Sequence, residues 1–295
     1  MGNLGSAGMF IGILVSFFAV EVYRFTQKSG FKISMPPQVP ASVARSFESL
    51  TPTAIVLIVV ATICMFLQID VHGMISKLIV PLVSATDTLP SVLILVFLVT
   101  FFWSFGIHGV SIVGSIARPL WLILIEENTT AWAAGQVIPN IGAEPFFQWF
   151  IWIGGSGATL ALALLFAFRS KSAYGKALGK TSLVPSIFNI NEPMIFGAPI
   201  VLNPMLIIPF IIAPIVNAII AYFLTTAGLV SRVVATAPWT LPGPIGAFLA
   251  CGNDWRAAVL SIGLIVLDLI IYYPFFKMYD KNLVEEEQNQ EAEVL

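Results

Sequence analysis

The sequence predicts an all-α polytopic membrane protein, with about seven transmembrane helices, two re-entrant hairpins and one amphipathic helix lying in the membrane interface. Three observations lead there. Apolar residues make up 58% of the chain and Asp, Glu, Lys and Arg only 10%, against roughly 45–50% and about 25% in a soluble domain. So few charges cannot cover a water-facing surface, whereas lipid tolerates an apolar one. Runs without charge, near the ~20 residues needed to cross a ~30 Å hydrocarbon layer, recur along the chain. Two further apolar stretches are interrupted by Pro and Gly in a way that no ordinary spanning helix would be.

Taken in order, the spans fall at roughly 7–24, 50–69, 90–105, 109–126, 146–168, 203–226 and 255–276. The clearest is Phe146 to Phe168, which carries no charge. Segment 70–89 places Asp70, His72, Lys77 and Asp87 among Ile75, Leu78, Ile79 and Leu82, a spacing that suits a helix in the outer interface. It divides the chain into a two-span part (1–69), a linker (70–89) and a larger part (90–279). The tail 280–295 is acidic and polar without a hydrophobic period, so it is expected to be disordered.

Orientation follows from Lys and Arg in short loops. Arg24, Lys28, Lys32 and Arg45 in one loop, and Arg169, Lys171, Lys176 and Lys180 in another, face the cytoplasm. Glu126, Glu127 and Glu144 then lie outside, and the tail inside. Residue 1 falls outside, yet no basic n-region marks a signal peptide. The expectation is a fragment lacking an odd number of upstream spans. Trp149 and Trp152, near a span end, read as an interfacial belt.

Several function classes are excluded. A net charge of −2 leaves no nucleic-acid footprint. Cys64 and Cys251 lack CxxC spacing, so neither a zinc site nor a disulfide framework is indicated. Gly175-Lys176-Ala177-Leu178-Gly179-Lys180-Thr181 imitates a phosphate-binding loop, but three residues rather than four separate the glycines and no strand precedes it. No metal or cofactor is called for.

The polar residues inside the apolar regions carry the functional reading. Spans 90–105 and 109–126 meet at Gly106-Ile107-His108-Gly109. Sixteen residues at 1.5 Å each reach about 24 Å, less than the hydrocarbon core. Glycines on both sides of His108 allow the bend. Non-helical backbone at membrane depth is tolerated where it is buried in protein or lines a cavity, so His108 is expected to face a wet cavity; the alternative is a packing histidine in an ordinary loop. Ser186-Ile187-Phe188-Asn189-Ile190-Asn191-Glu192-Pro193 places a lone carboxylate in apolar surroundings. Region 182–202 reads as a hairpin entered from the cytoplasm with Glu192 near its tip, the alternative being a glutamate in a cytoplasmic loop. Ala237-Pro238-Trp239-Thr240-Leu241-Pro242-Gly243-Pro244 marks a second hairpin, 233–253, entered from outside. Two broken segments in corresponding places point to a transporter's binding site. Glu192, His108, Asn189 and Asn191 offer hydrogen bonds, and Trp103 and Trp239 offer indole faces, a set suited to a sugar rather than an ion; the alternative for each Trp is an interfacial belt or packing residue. Arg118 and Asp268 also fall within spans and receive no role.

The run PSIFNINEPMIFGAPIVLNP with Asn191-Glu192-Pro193, the turn FFWSFGIHG, the stretch APWTLPGPIGAFL and MPPQVPASVARSFESLTP at 35–52 together resemble enzyme IIC of the bacterial phosphotransferase system, in its lactose/cellobiose/chitobiose class. The resemblance implies an N-terminal dimerisation part and a transport part with two re-entrant hairpins. Of the family's ten spans, those here look like the fourth to the tenth. It also implies a disaccharide held between the hairpins, with His108 and Glu192 on the hydroxyl to be phosphorylated, Trp103 and Trp239 flanking the sugar, and Gly106 and Gly109 framing the histidine turn. Implied partners are the bilayer of the bacterial inner membrane, a second copy of the subunit, and a phosphorylated EIIB protein whose phosphocysteine is the donor. The C-terminus is then cytoplasmic, and the basic residues at 169–180 belong to the EIIB docking face or are plain positive-inside charge. Two other readings stay open at this point: an ion-coupled secondary transporter using Glu192 and Asp268, and a membrane anchor or sensor that binds no sugar. The residues do not rank cellobiose, chitobiose and lactose.

Overall fold

Where no water is available, backbone N–H and C=O groups must pair within their own segment, and a helix does this locally. The computed structural model describes residues 6–36 and 38–294, and every regular element among them is helical. Five helical stretches are long and apolar enough to cross a membrane: Gly8–Ser29, Ala41–Phe66, Gly109–Ala133, Pro204–Thr226 and Trp255–Gln290. Leu89–Ser104 and Leu160–Arg169 are shorter apolar helices. The chain divides into two compact units, Met1–Leu82 and Val83–Leu295.

In the first unit, α1 (Ser6–Ser29) packs against α3 (Leu50–Ala61), which continues into a π-helical turn at Thr62–Phe66. Between them lies the short α2 (Ala41–Glu48), whose Glu48 pairs with Lys32 at 3.0 Å. The expected interfacial segment forms α4 (Val71–Thr86), and the division between the units falls within it. The side chains of His72, Leu78 and Ile79 lie outside the described residues.

The second unit holds α5 (Leu89–Ser104), α6 (Gly109–Ala133), the single turn α7 (Glu144–Phe146) with a π-helical turn at Phe147–Ile151, α8 (Leu160–Arg169), α9 (Ala173–Ile187), α10 (Glu192–Gly197), α11 (Pro204–Thr226), α12 (Gly243–Ala250) and α13 (Trp255–Val294). Ile94, Phe97 and Phe101 on α5, and Ile262, Val266 and Ile270 on α13, form exposed apolar rows at helical spacing. Both regions expected to be hairpins contain short half-helices, α10 and α12, joined to the long helices by irregular backbone.

Three expectations are corrected, and two residues left without a role receive partners. Segment 146–168 is not a continuous helix, because residues 152–159 leave the helical path. Gly154, Gly155 and Gly157 sit at φ +80°, +96° and +82°, and Ala158 at +56°, a region closed to most L-residues. Trp149 and Trp152 are not an interfacial belt but core, 1% and 4% exposed. The Trp149 ring lies so close to Gly246 that a Cβ there would stand 2.2 Å from it. The tail is not disordered as far as Val294, since α13 continues through it and its carboxylates find partners. Finally, the two unassigned charges have partners: Arg118 pairs with Glu144 at 3.3 Å, and buried Asp268 accepts from Asn217 Nδ2 at 3.0 Å.

Near Asp87 the loop after α6 is tied down by side chains. One Asp87 carboxylate oxygen accepts the N–H groups of Ile141 (2.8 Å) and Gly142 (2.6 Å), and its backbone carbonyl accepts the Tyr222 hydroxyl at 3.1 Å. Arg232 donates to the carbonyls of Ile138 and Pro139, and Asn128 to those of Asn140 and Val233. Burial lifts the Asp87 carboxyl above its ordinary range, against the pull of the two N–H groups. With the folded value above the unfolded one, its contribution to stability is full below the ordinary value, about 3.9, and is lost as pH rises through the raised value. Asp87→Asn keeps the accepting oxygen without the charge. Thermal unfolding in detergent should find the variant at least as stable as wild type at pH 7, with the difference closing towards pH 4. A variant clearly less stable at pH 7 would contradict this account.

Candidate functional site

The site is built where two chain breaks in the second unit face each other. The first follows α5. Gly106 adopts φ +78°, which turns the backbone, and a Cβ on Gly109 would lie 2.0 Å from the Val99 carbonyl oxygen. One glycine is therefore needed for the bend and the other for the close approach of α6 to α5. Between them, His108 is the N-cap of α6. Its Nδ1 accepts the Ser111 N–H at 3.2 Å and lies 2.9 Å from the Ser111 hydroxyl. An Nδ1 engaged as acceptor places the proton of a neutral imidazole on Nε2.

The second break lies between α9 and α10. Pro185 and Pro193 limit helical continuation, Asn189 takes φ +62°, and Glu192 opens α10. His108 Nε2 and Glu192 Oε1 are 3.9 Å apart, and the two side chains are 47% and 46% exposed. That distance is too long for a direct hydrogen bond. An oxygen placed at hydrogen-bond distance of about 2.8 Å from each fits between them, accepting from Nε2–H and donating to the carboxylate.

The other predicted residues are brought to this region in different ways. Trp103 is 2% exposed. Its ring centre lies 4.5 Å from that of His108, and its Nε1 donates to Ser156 Oγ at 3.1 Å. In this structure it supports the imidazole and offers no open ring face. Trp239 is 57% exposed, and its indole is open to a ligand. Asn189 uses both amide hydrogens on backbone, donating to the Trp239 and Leu241 carbonyls at 2.8 and 2.9 Å, while its Oδ1 accepts the Gly154 N–H at 2.9 Å. Asn191 is 4% exposed and donates to the Ser156 carbonyl at 2.7 Å. Both asparagines therefore brace the protein, where the sequence suggested that their amides would meet a ligand.

The element that sequence reasoning missed is the Gly154-Gly155-Ser156-Gly157 turn. It receives Trp103, Asn189 and Asn191, and the buried Tyr272 hydroxyl donates to the Gly157 carbonyl at 2.6 Å. Through Asn189 it is also joined to the Trp239–Leu241 backbone before α12. The available signal was three glycines within four positions of a charge-free run, a composition that disfavours helix.

Comparison with known proteins follows the same outline. The family model described as "Phosphotransferase system, EIIC" matches residues 1–214. The cellobiose-specific EIIC component of the phosphotransferase system of Geobacillus stearothermophilus is 40% identical over 293 residues, covering 97% of this chain and 65% of that protein. The lichenan permease IIC component of Bacillus subtilis (strain 168) is 36% identical over 294 residues, covering 98% and 65%. The chain thus spans slightly less than two thirds of the length of these relatives. Among solved structures, the crystal structure of the transporter ChbC, the IIC component from the N,N'-diacetylchitobiose-specific phosphotransferase system, superposes with a TM-score of 0.91 at 39% identity, covering 97% of this chain and 68% of that one.

The turn makes a direct prediction. A Cβ on Gly155 would lie 2.4 Å from Asn191 Cγ, at a φ of +96°. Backbone held in such a region costs of order 1–3 kcal/mol for an L-residue. Gly155→Ala should lower the unfolding temperature in detergent by several degrees, whereas Gly135→Ala, also at positive φ but with open space around it, should lower it less. Equal losses in the two variants would contradict the tight contact with Asn191.

Proposed function

Because this chain belongs to the EIIC family of the phosphotransferase system, we propose that it is the sugar-translocating membrane subunit of such a system. It carries a disaccharide of the cellobiose, chitobiose or lactose type across the bacterial inner membrane and presents it to phosphorylated EIIB. The observation that carries this reading is the gap between His108 Nε2 and Glu192 Oε1, 3.9 Å wide and half open. It offers one donor and one acceptor to a single hydroxyl. The exposed Trp239 indole supplies an apolar face for a pyranose ring.

His108 Nε2–H orients the sugar hydroxyl, taken as the 6′-hydroxyl, and Glu192 accepts its proton as the oxygen attacks phosphorus. The oxygen–phosphorus bond forms, the sulfur–phosphorus bond of the EIIB phosphocysteine breaks, and the thiolate leaves with EIIB. Trp103, Asn189, Asn191 and the Gly154–Gly157 turn hold the two breaks in register. Gly106 and Gly109 shape the His108 turn.

The division of the chain into Met1–Leu82 and Val83–Leu295 supports reading the first unit as part of a dimerisation scaffold and the second as the moving transport part. The basic loop at 169–180 supports a cytoplasmic C-terminus and a docking face for EIIB. The fused "lactose-specific EIICB component" of Staphylococcus aureus, 38% identical over 292 residues, supports EIIB as the partner. Family membership favours this reading over the ion-coupled alternative.

Glu192→Gln keeps the shape of the side chain and removes the base. Phosphorylation of the sugar by the variant should fall by about 100-fold or more, with the unfolding temperature unchanged, and uptake by the wild type in whole cells should stop when the phosphoenolpyruvate relay is removed yet survive an uncoupler. Normal uptake by the variant would sink the assignment of Glu192, and uptake abolished by the uncoupler alone would sink the phosphotransferase reading.

A further inference from the structure

The α13 extension beyond the apolar rows is held by a line of contacts that ends at the element carrying Glu192. Asp280 accepts from the Ser170 hydroxyl and from the Lys171 N–H, the latter at 2.9 Å. Two turns further along, the helix brings Glu287 to the start of α9. Its carboxylate accepts the Ser172 hydroxyl at 2.7 Å and the N–H groups of Ala173 and Tyr174 at 3.1 and 2.9 Å. These are among the donors that a helix N-terminus leaves unpaired, and an anion there is favoured by the helix dipole as well. Tyr174, with its N–H so fixed, sends its hydroxyl to the Gly197 carbonyl at 2.7 Å. Gly197 is the last residue of α10, the six-residue half-helix that Glu192 begins. Leu178 closes the same contact, since a Cβ on Gly197 would lie 2.3 Å from its Cδ1. A helix this short has little stability of its own, so its placement depends on the packing of its buried Met194 and Ile195 and on what holds its two ends. Asn191 holds one end through the Ser156 carbonyl, and Tyr174 holds the other.

We propose that Tyr174 and Glu287 are positioning residues for Glu192: the C-terminal helix clamps α9, and Tyr174 transmits that clamp to α10. The inference rests on the sugar-binding reading of Glu192, but its first test does not. Hydrogen exchange is measured on the full chain in nanodiscs for Tyr174→Phe, Glu287→Ala and the double variant. Each single variant should speed exchange of the α10 amides, and the double should be no faster than the faster single. Exchange in α10 unchanged by both variants, or effects that simply add, would overturn the proposal even if sugar binding is confirmed.

The second test measures disaccharide affinity by calorimetry. Loss of the Tyr174–Gly197 bond, directly in Tyr174→Phe or through the loosened start of α9 in Glu287→Ala, should weaken binding by about 3–10-fold in either single variant. Neither should weaken it further in a Glu192→Gln background, and Glu287→Gln, which keeps an accepting oxygen, should recover part of the loss. Additive losses in the Glu192→Gln background mean general destabilisation and overturn the proposal. Wild-type protein that binds no disaccharide rejects the function assigned to Glu192, while the exchange result still decides the clamp.

Discussion

Irregular backbone inside a lipid layer has no water to pair with, so each exposed N–H and C=O must find a partner in the protein or on the wall of a cavity. Among the described residues of the second unit, irregular backbone within the apolar region includes the His108 turn, the loop before Glu192 and the stretch before α12. The Gly154–Gly157 turn is another, and it is the one onto which the others are fastened. Trp103 reaches its hydroxyl, Asn191 its carbonyl and Asn189 its N–H, and Asn189 then passes on to Trp239 and Leu241. Each bond contributes about 1 kcal/mol net, but leaving its buried polar group unpaired would cost about 1–3 kcal/mol. The register of the whole site therefore depends on one four-residue turn that contributes no side chain to the His108–Glu192 gap.

The pair itself is left open by the same bracing. His108 is fixed from behind by Trp103 and Ser111, so its Nε2 has one direction in which to donate. Glu192 stands at the start of a half-helix held at both ends. In the structure the two groups stand 3.9 Å apart, and on the proposed function a hydroxyl that enters would find donor and acceptor already in place. Pre-set polar groups of this kind need little reorganisation when charge develops on the attacking oxygen.

Much of this was legible in the sequence. The charge-free runs, the Pro- and Gly-broken segments and the two lone ionisable groups within them marked the helical membrane architecture and brought His108 and Glu192 forward as a pair. What was not legible has physical reasons. Charge scarcity locates lipid-compatible segments but is blind to backbone path, so Phe146–Phe168 read as a single helix although Gly154, Gly155 and Gly157 bend it. A polar side chain near a site looks the same whether it serves ligand or scaffold, and Asn189 and Asn191 serve the scaffold because nearby backbone is in reach. Arg118 and Asp268 could not be assigned because their partners, Glu144 and Asn217, are reached only through the fold. The tail read as disordered because its composition is polar, yet Asp280 and Glu287 are ordered by N–H groups that the sequence does not display.

A structure of the protein with a disaccharide bound tests the central claim most directly. The account predicts one sugar hydroxyl oxygen within hydrogen-bond distance of both the imidazole Nε2 of His108 and a carboxylate oxygen of Glu192, with the Gly154–Gly157 turn unmoved beneath them. A sugar seated elsewhere, or one whose hydroxyls all lie beyond reach of either group, would contradict it.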